Sequence, residues 1–84
     1  MNQTEPIILY ELKGCPYCAK VIDKLDSLEL DYTSVMVSGT RPQVEELTGG
    51  PTGVPVIEDP NTNEFEWLNE SDDIVEYLEQ TYGN

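Results

Sequence analysis

Histidine is absent from this chain, cysteine occurs only twice, and Lys and Arg together number four in 84 residues. The first two scarcities bear on metal chemistry. Zinc is typically held by four protein side chains, and beyond Cys15 and Cys18 there is no third cysteine and no histidine. A metal site would need ligands from a second copy or from outside thiols, so none is expected. The scarcity of base leaves Lys13, Lys20, Lys24 and Arg41 against 17 carboxylates, a formal net charge of -13. Such a surface repels phosphate backbones and anionic membranes, which removes nucleic acid and membrane from the expected partners. No apolar run approaches the roughly 18 residues of a membrane span. The opening Met1-Asn2-Gln3-Thr4-Glu5-Pro6 lacks the basic and apolar regions of a secretory signal, so a reducing, cytoplasmic setting is the expectation. Linkers, internal repeats and low-complexity stretches are missing too, and residues 1–84 read as one small domain with a single modest core, expected as a monomer.

The acidity has two readings, ordinary solubility or adaptation to a salt-rich cytoplasm in which counterions screen self-repulsion. The scarcity of lysine favours the second. Stability should then rise with salt: the melting temperature is expected to climb by several degrees between dilute buffer and molar salt, and an unchanged value would contradict the halophilic reading.

The chain does contain short patterned segments. Ile7-Ile8-Leu9-Tyr10 is an apolar, β-rich run that predicts a strand buried on both faces. A turn at Gly14 follows, and Pro16 suits a first helical position. Cys18, Val21, Ile22, Leu25 and Leu28 then recur at helical spacing, with Lys20, Asp23, Lys24 and Ser27 on the opposite, solvated side. Tyr32 to Val37 returns to strand character, completing a right-handed strand-helix-strand unit. A short helix is predicted from Pro42 to Thr48, with Thr40 as a cap and Gly49-Gly50 closing it. Val54 to Glu58 and Glu64 to Leu68 flank a cluster of turn formers and predict an antiparallel hairpin. The last helix opens near Ser71, with Asp72 and Asp73 in its first turn and Ile74, Val75, Leu78 and Tyr82 on its apolar face. The order is βαβ, a helix, then ββα.

Two cysteines three positions apart at a helix start share a face at roughly 5–6 Å, close enough for reversible bridging. Cys15, at or just before the helix, would have its thiolate stabilised by the unpaired N–H groups of Tyr17 and Cys18 and by the positive end of the dipole. Lys13 would add positive charge nearby. Cys18, in the apolar stripe, would be the less accessible, resolving thiol. A buried pair of core cysteines or a permanent bridge is the competing explanation, against which the spacing, the Pro16 helix start and the βαβ pattern point to redox use.

Cys15-Pro16-Tyr17-Cys18 after a strand, with Gly53-Val54-Pro55-Val56 downstream and a hairpin and helix to follow, resembles the glutaredoxins along nearly the whole chain. The resemblance implies a thioredoxin-like α/β fold, a central four-stranded mixed sheet flanked by helices. It also implies a cis Pro55 and a Val54 backbone that pairs with the cysteinyl part of glutathione. Leu68-Asn69-Glu70-Ser71-Asp72-Asp73-Ile74 departs from the glutaredoxin pattern and looks like the Glu-Ser turn of glutathione S-transferase N-terminal domains. On that resemblance Ser71 would take the α-carboxylate of a γ-glutamyl thiol at a helix N-terminus, and Glu70 or Asp72 its amino group. A plain capping role for Ser71 is the alternative. Lys13 and Arg41 are candidates for the glycyl carboxylate, although family lysines in that role precede the first cysteine by three positions, where Leu12 stands. Tyr17 would border the substrate groove.

The function implied is thiol-disulfide exchange with glutathione or another γ-glutamyl thiol as co-substrate, no tightly bound cofactor, disulfide-containing proteins as substrates and a reductase as electron source. A thioredoxin-like electron donor without a small-thiol site, and a transferase-like thiol-binding module without turnover, are the other readings.

Overall fold

In the computed structural model residues 3–37, 42–49 and 53–83 are described. The elements run β1 (Ile7–Glu11), α1 (Pro16–Ser27), β2 (Tyr32–Met36), α2 (Pro42–Thr48), β3 (Val56–Glu58), β4 (Leu68–Asn69) and α3 (Ser71–Tyr82). One sheet has the order β2-β1-β3-β4. β1 pairs parallel with β2 and antiparallel with β3, and β3 pairs antiparallel with β4. This is the thioredoxin-like α/β arrangement with a four-stranded mixed sheet that the glutaredoxin resemblance implies. Among the described residues no helix is long and apolar enough to cross a membrane.

Strand pleating distributes the core. Ile7, Leu9 and Ile57 face α1 and α3, where they pack with Val21, Leu25, Ile74 and Leu78. Val56, next to Ile57 but on the opposite face, joins Val37 and Val44 in a smaller cluster that includes Leu47, Val54 and Trp67. β1 is therefore not buried on both faces. Ile7, Leu9 and Glu11 are buried while Ile8 and Tyr10 are only half covered, because the short α2 shields less of its side than α1 and α3 do of theirs.

Helix α1 ends in a reversal that aims the chain at β2. The Leu30 N–H bonds to the Leu25 carbonyl and the Glu29 N–H to that of Asp26, at 3.0 and 3.1 Å, with Glu29 at φ 56°. That is a Schellman closure with a glutamate in the left-handed position usually given to glycine. Lys20 and Lys24 are not solitary solvated charges. Lys20 pairs with Asp72, and Lys24 with Glu79 at 3.2 Å, so two ion pairs tie α1 to α3.

The predicted second strand of the hairpin is corrected most. Glu64 to Trp67 form no strand, and β4 is only Leu68–Asn69, set opposite Ile57 and Val56. The connection winds instead around Asp59, 4% exposed. Its carboxylate accepts the Tyr77 hydroxyl, the Tyr82 hydroxyl at 2.6 Å, and the Asn61 backbone and amide N–H at 3.0 and 2.8 Å. Phe65 is drawn onto α3, its ring edge-on to Tyr77 at 4.9 Å, while Trp67 packs on the other cluster. Alternating residues in this stretch thus serve two separate packing sites off the ladder. Helix α2 and its closing Gly49 lie where expected. Its proposed cap, Thr40, and Gly50 lie outside the described residues.

Candidate functional site

The chain reaches the two cysteines through a turn that needs Gly14. At φ 79° this residue occupies backbone space closed to most side chains, and the turn is held by the Cys15 N–H on the Leu12 carbonyl at 3.2 Å. Cys15 is the N-cap of α1, with extended backbone at φ -79°, ψ 116°. Pro16 follows in the first turn, where its missing N–H leaves no gap in the ladder. The Cys15 sulfur accepts the Cys18 N–H at 3.3 Å, which is the role a serine or aspartate oxygen plays in an ordinary cap.

Both thiols are free, Cys15 half-buried and Cys18 buried at 1% exposure. Their ionisation is pulled apart. Burial pushes the Cys15 thiol up, but hydrogen bonds from the Cys18 thiol and from the Cys18 and Tyr17 N–H groups outweigh it and hold Cys15 below the ordinary cysteine value. Cys18 is pushed up to about 12, chiefly by burial and by giving its hydrogen bond to Cys15. One sulfur is thus prepared as a nucleophile while its neighbour keeps its proton. Lys13 is exposed and is not among the groups that act most strongly on Cys15. The notable charge is Glu11, whose carboxylate opposes ionisation of both thiols and which the sequence reading did not single out.

A cavity of about 330 Å³ opens beside the helix start. Tyr17 of α1, 63% exposed, forms one wall, Gly53, Val54 and Pro55 a second, and Glu70, Ser71 and Asp72 the third. Its volume falls at the lower end of the range for small-molecule sites. The Val54-Pro55 peptide is cis, as the resemblance implied, and Pro55 is buried. Cys15 is not itself part of the lining, but Tyr17, two residues along, is. Lys13 does not line the cavity, and Arg41 lies outside the described residues.

Ser71 is not a cap. It is the first residue of α3, and Glu70 precedes it as N-cap at φ 68°, ψ 116° with no side-chain capping bond. A glutamate at positive φ is costly and is found where its surroundings require it. The first intrahelical bond is donated by the Ile74 N–H to the Glu70 carbonyl at 2.9 Å, so the N–H groups of the first turn have no carbonyl within the helix. The Ser71 side chain lies on the cavity at 8% exposure. Among the described residues its hydroxyl has no hydrogen-bond partner. One wall therefore offers donors suited to a carboxylate, flanked by the carboxylates of Glu70 and Asp72 suited to an ammonium. An α-amino acid terminus carries both groups. Among the described residues no cluster of three or more acids or cysteines is placed to hold a metal.

A mixed sheet with a cysteine pair at the first strand-to-helix turn and a cis-proline loop beside it defines a thioredoxin-like domain. The chain belongs to the glutathione S-transferase N-terminal domain family, whose model matches residues 9–84. Among solved structures it is similar to a glutathione transferase of Bombyx mori, with 26% identity over 98% of this chain and 38% of that one and a TM-score of 0.80. It is also similar to a glutathione S-transferase of the Antarctic clam Laternula elliptica, with 28% identity, 95% and 36% coverage and a TM-score of 0.74. A glutathione transferase of Phanerochaete chrysosporium gives 27% identity, 95% and 39% coverage and a TM-score of 0.78. The chain thus spans less than two-fifths of the length of these three proteins. No curated protein matches it. The family is the one pointed to by the departure at Glu70-Ser71, and the glutaredoxin resemblance holds at the level of the fold.

Proposed function

We propose that this domain is a thiol-disulfide oxidoreductase of glutaredoxin type, with glutathione or another γ-glutamyl thiol as co-substrate. The observation that carries the reading is the divergence of the two thiols: Cys15 held toward its thiolate at the start of α1, Cys18 buried and held as the thiol. A pair that served only as packing would need no such division.

In the proposed reaction the Cys15 thiolate attacks one sulfur of a mixed or protein disulfide. A Cys15 mixed disulfide forms and the other sulfur leaves as a thiolate. Either a second small thiol attacks the small-thiol sulfur of that adduct and frees Cys15, or Cys18 loses its proton, attacks Cys15 and releases the bound thiol. Two molecules of the γ-glutamyl thiol then reduce the Cys15–Cys18 disulfide, and a reductase recycles their disulfide. Ser71 and the first-turn N–H groups would hold the α-carboxylate of the γ-glutamyl end, Glu70 or Asp72 its ammonium, and the Val54 backbone its cysteinyl part. Tyr17 would cover the groove. Lys13 and Arg41 remain candidates for a terminal carboxylate.

The family supports a second reading, a transferase-like module that binds the thiol without disulfide exchange. A coupled assay with a flavin reductase separates these readings: activity that requires glutathione supports the proposal, whereas equal activity without it points to a thioredoxin-like donor, and none at all to the binding module. Within the proposed reading, Ser71→Ala should raise KM for the small thiol about ten- to 150-fold, the loss expected for a hydrogen bond to a charged group. The pH profile of Cys15 alkylation should stay in place. An unchanged KM would remove Ser71 from the site.

A further inference from the structure

Glu11 is a carboxylate where the strand pattern calls for an apolar residue. Ile7, Leu9 and Glu11 alternate on the core-facing side of β1, each buried, Glu11 at 9% exposure. Beyond Glu11 the chain turns directly into the cysteine loop. Its backbone carbonyl is taken by the Val37 N–H at 2.8 Å, fixing the strand end. Among the described residues its side chain accepts one hydrogen bond, from the Ser34 hydroxyl on β2. Neither ion pair among the described residues includes it. Among the described residues its charge acts on Cys15 and Cys18 from α1 and on Tyr32 from β2. The Leu12 carbonyl, next along from Glu11, accepts the Cys15 N–H at 3.2 Å, which ties this strand end to the nucleophilic cysteine. Burying a carboxylate is costly, and a fold without a use for the charge would place an apolar residue at this end of the Ile7-Leu9 row.

We propose that Glu11 is a positioning residue that sets the redox balance of the Cys15–Cys18 pair, its buried negative charge disfavouring the thiolate and so favouring the disulfide. Wherever Cys15 is ionised the reduced pair carries negative charge, whereas the disulfide carries none. A nearby carboxylate therefore raises the free energy of the reduced form alone. The protein becomes a stronger reductant, giving up its electron pair more readily to a substrate disulfide, whose two sulfurs are reduced as Cys15 and Cys18 are joined. This inference rests on the proposed exchange reaction for its consequence, not for its electrostatics.

The test is Glu11→Gln, which preserves shape and can still accept the Ser34 hydroxyl. Two readouts are taken: the midpoint of Cys15 alkylation against pH, and the fraction oxidised in glutathione buffers of fixed ratio. The midpoint should fall, and the equilibrium constant for oxidation should drop about three- to tenfold, the upper figure corresponding to about 30 mV toward the oxidising side. Ser34→Ala, which leaves the charge in place, should not reproduce either shift, nor should Glu66→Gln, which removes an exposed carboxylate. A folded Glu11→Gln protein with both readouts unmoved would overturn the proposal, as would the same shifts in either control. If wild type proves inert toward glutathione disulfide, the proposed function fails, while the alkylation arm still judges Glu11.

Discussion

Replacing Cys15 by serine is expected to reduce glutathione-coupled disulfide reduction to the uncatalysed rate. The reason lies in the site. Cys18 cannot substitute, because its burial, the largest of the effects that push its pKa up, persists without Cys15, and because at 1% exposure it is closed to an incoming disulfide. Cys18→Ser should behave differently. Its hydroxyl can still donate to the Cys15 sulfur and its backbone N–H remains in place, so the thiolate survives and exchange with the small thiol continues. Closure of the internal disulfide is lost. Cys18→Ala removes that side-chain donor as well and should move the Cys15 alkylation midpoint upward. Initial rates for the three variants against wild type, with and without glutathione, check the assignment; full activity in Cys15→Ser would sink it.

The largest effect on stability is expected at Asp59. Its carboxylate gathers two tyrosine hydroxyls of α3 and the Asn61 N–H groups. Asn61 in turn anchors the N-terminal segment through the Thr4 and Glu5 N–H groups, at 2.8 and 3.0 Å. Asp59→Ala strands several half-buried donors at once and should cost about 2–4 kcal/mol, read from denaturant unfolding. That is a large share of the stability of a domain this small. The pH dependence has a definite sign. Burial raises the Asp59 pKa, but the Tyr77 and Tyr82 hydroxyls and Asn61 outweigh it and hold it below the usual aspartate value. A group depressed in the folded state contributes stability that is complete above its unfolded pKa, near 3.9, and is lost as pH falls through the folded value. Asp59→Asn should therefore flatten the decline of stability below about pH 4, and a slope identical to wild type would contradict the assignment.

What could be read from sequence was local. The Cys15-Pro16-Tyr17-Cys18 helix start, the α1 stripe, the bounds of α2 and the opening of α3 at Ser71 all follow from residues within one turn of each other. The cis Val54-Pro55 bond was reached only through resemblance, since nothing in the dipeptide distinguishes it from a trans proline. The failures involve partners far along the chain. Phe65 and Trp67 alternate like strand residues, yet Tyr77 claims one and Val37, Val44 and Val56 the other. Asp59 reads as a turn former, and its tyrosine partners, 18 and 23 residues away, give no sign of themselves. Lys20 and Lys24 read as a solvated like-charge pair because Asp72 and Glu79 lie on another helix. Glu11 did leave a signal: the period-two pattern of Ile7 and Leu9 runs into it, and a strand row that ends in an acid beside a cysteine loop marks a buried charge.

The most direct test of a Cys15-centred exchange with a γ-glutamyl thiol is intact-mass measurement of the Cys18→Ser protein after reaction with glutathione disulfide, with the modified residue located by peptide mapping. A single glutathionyl adduct on Cys15, released by free glutathione, is the predicted result. An unmodified protein under conditions where it demonstrably binds glutathione would contradict the account and leave a thiol-binding transferase module in its place.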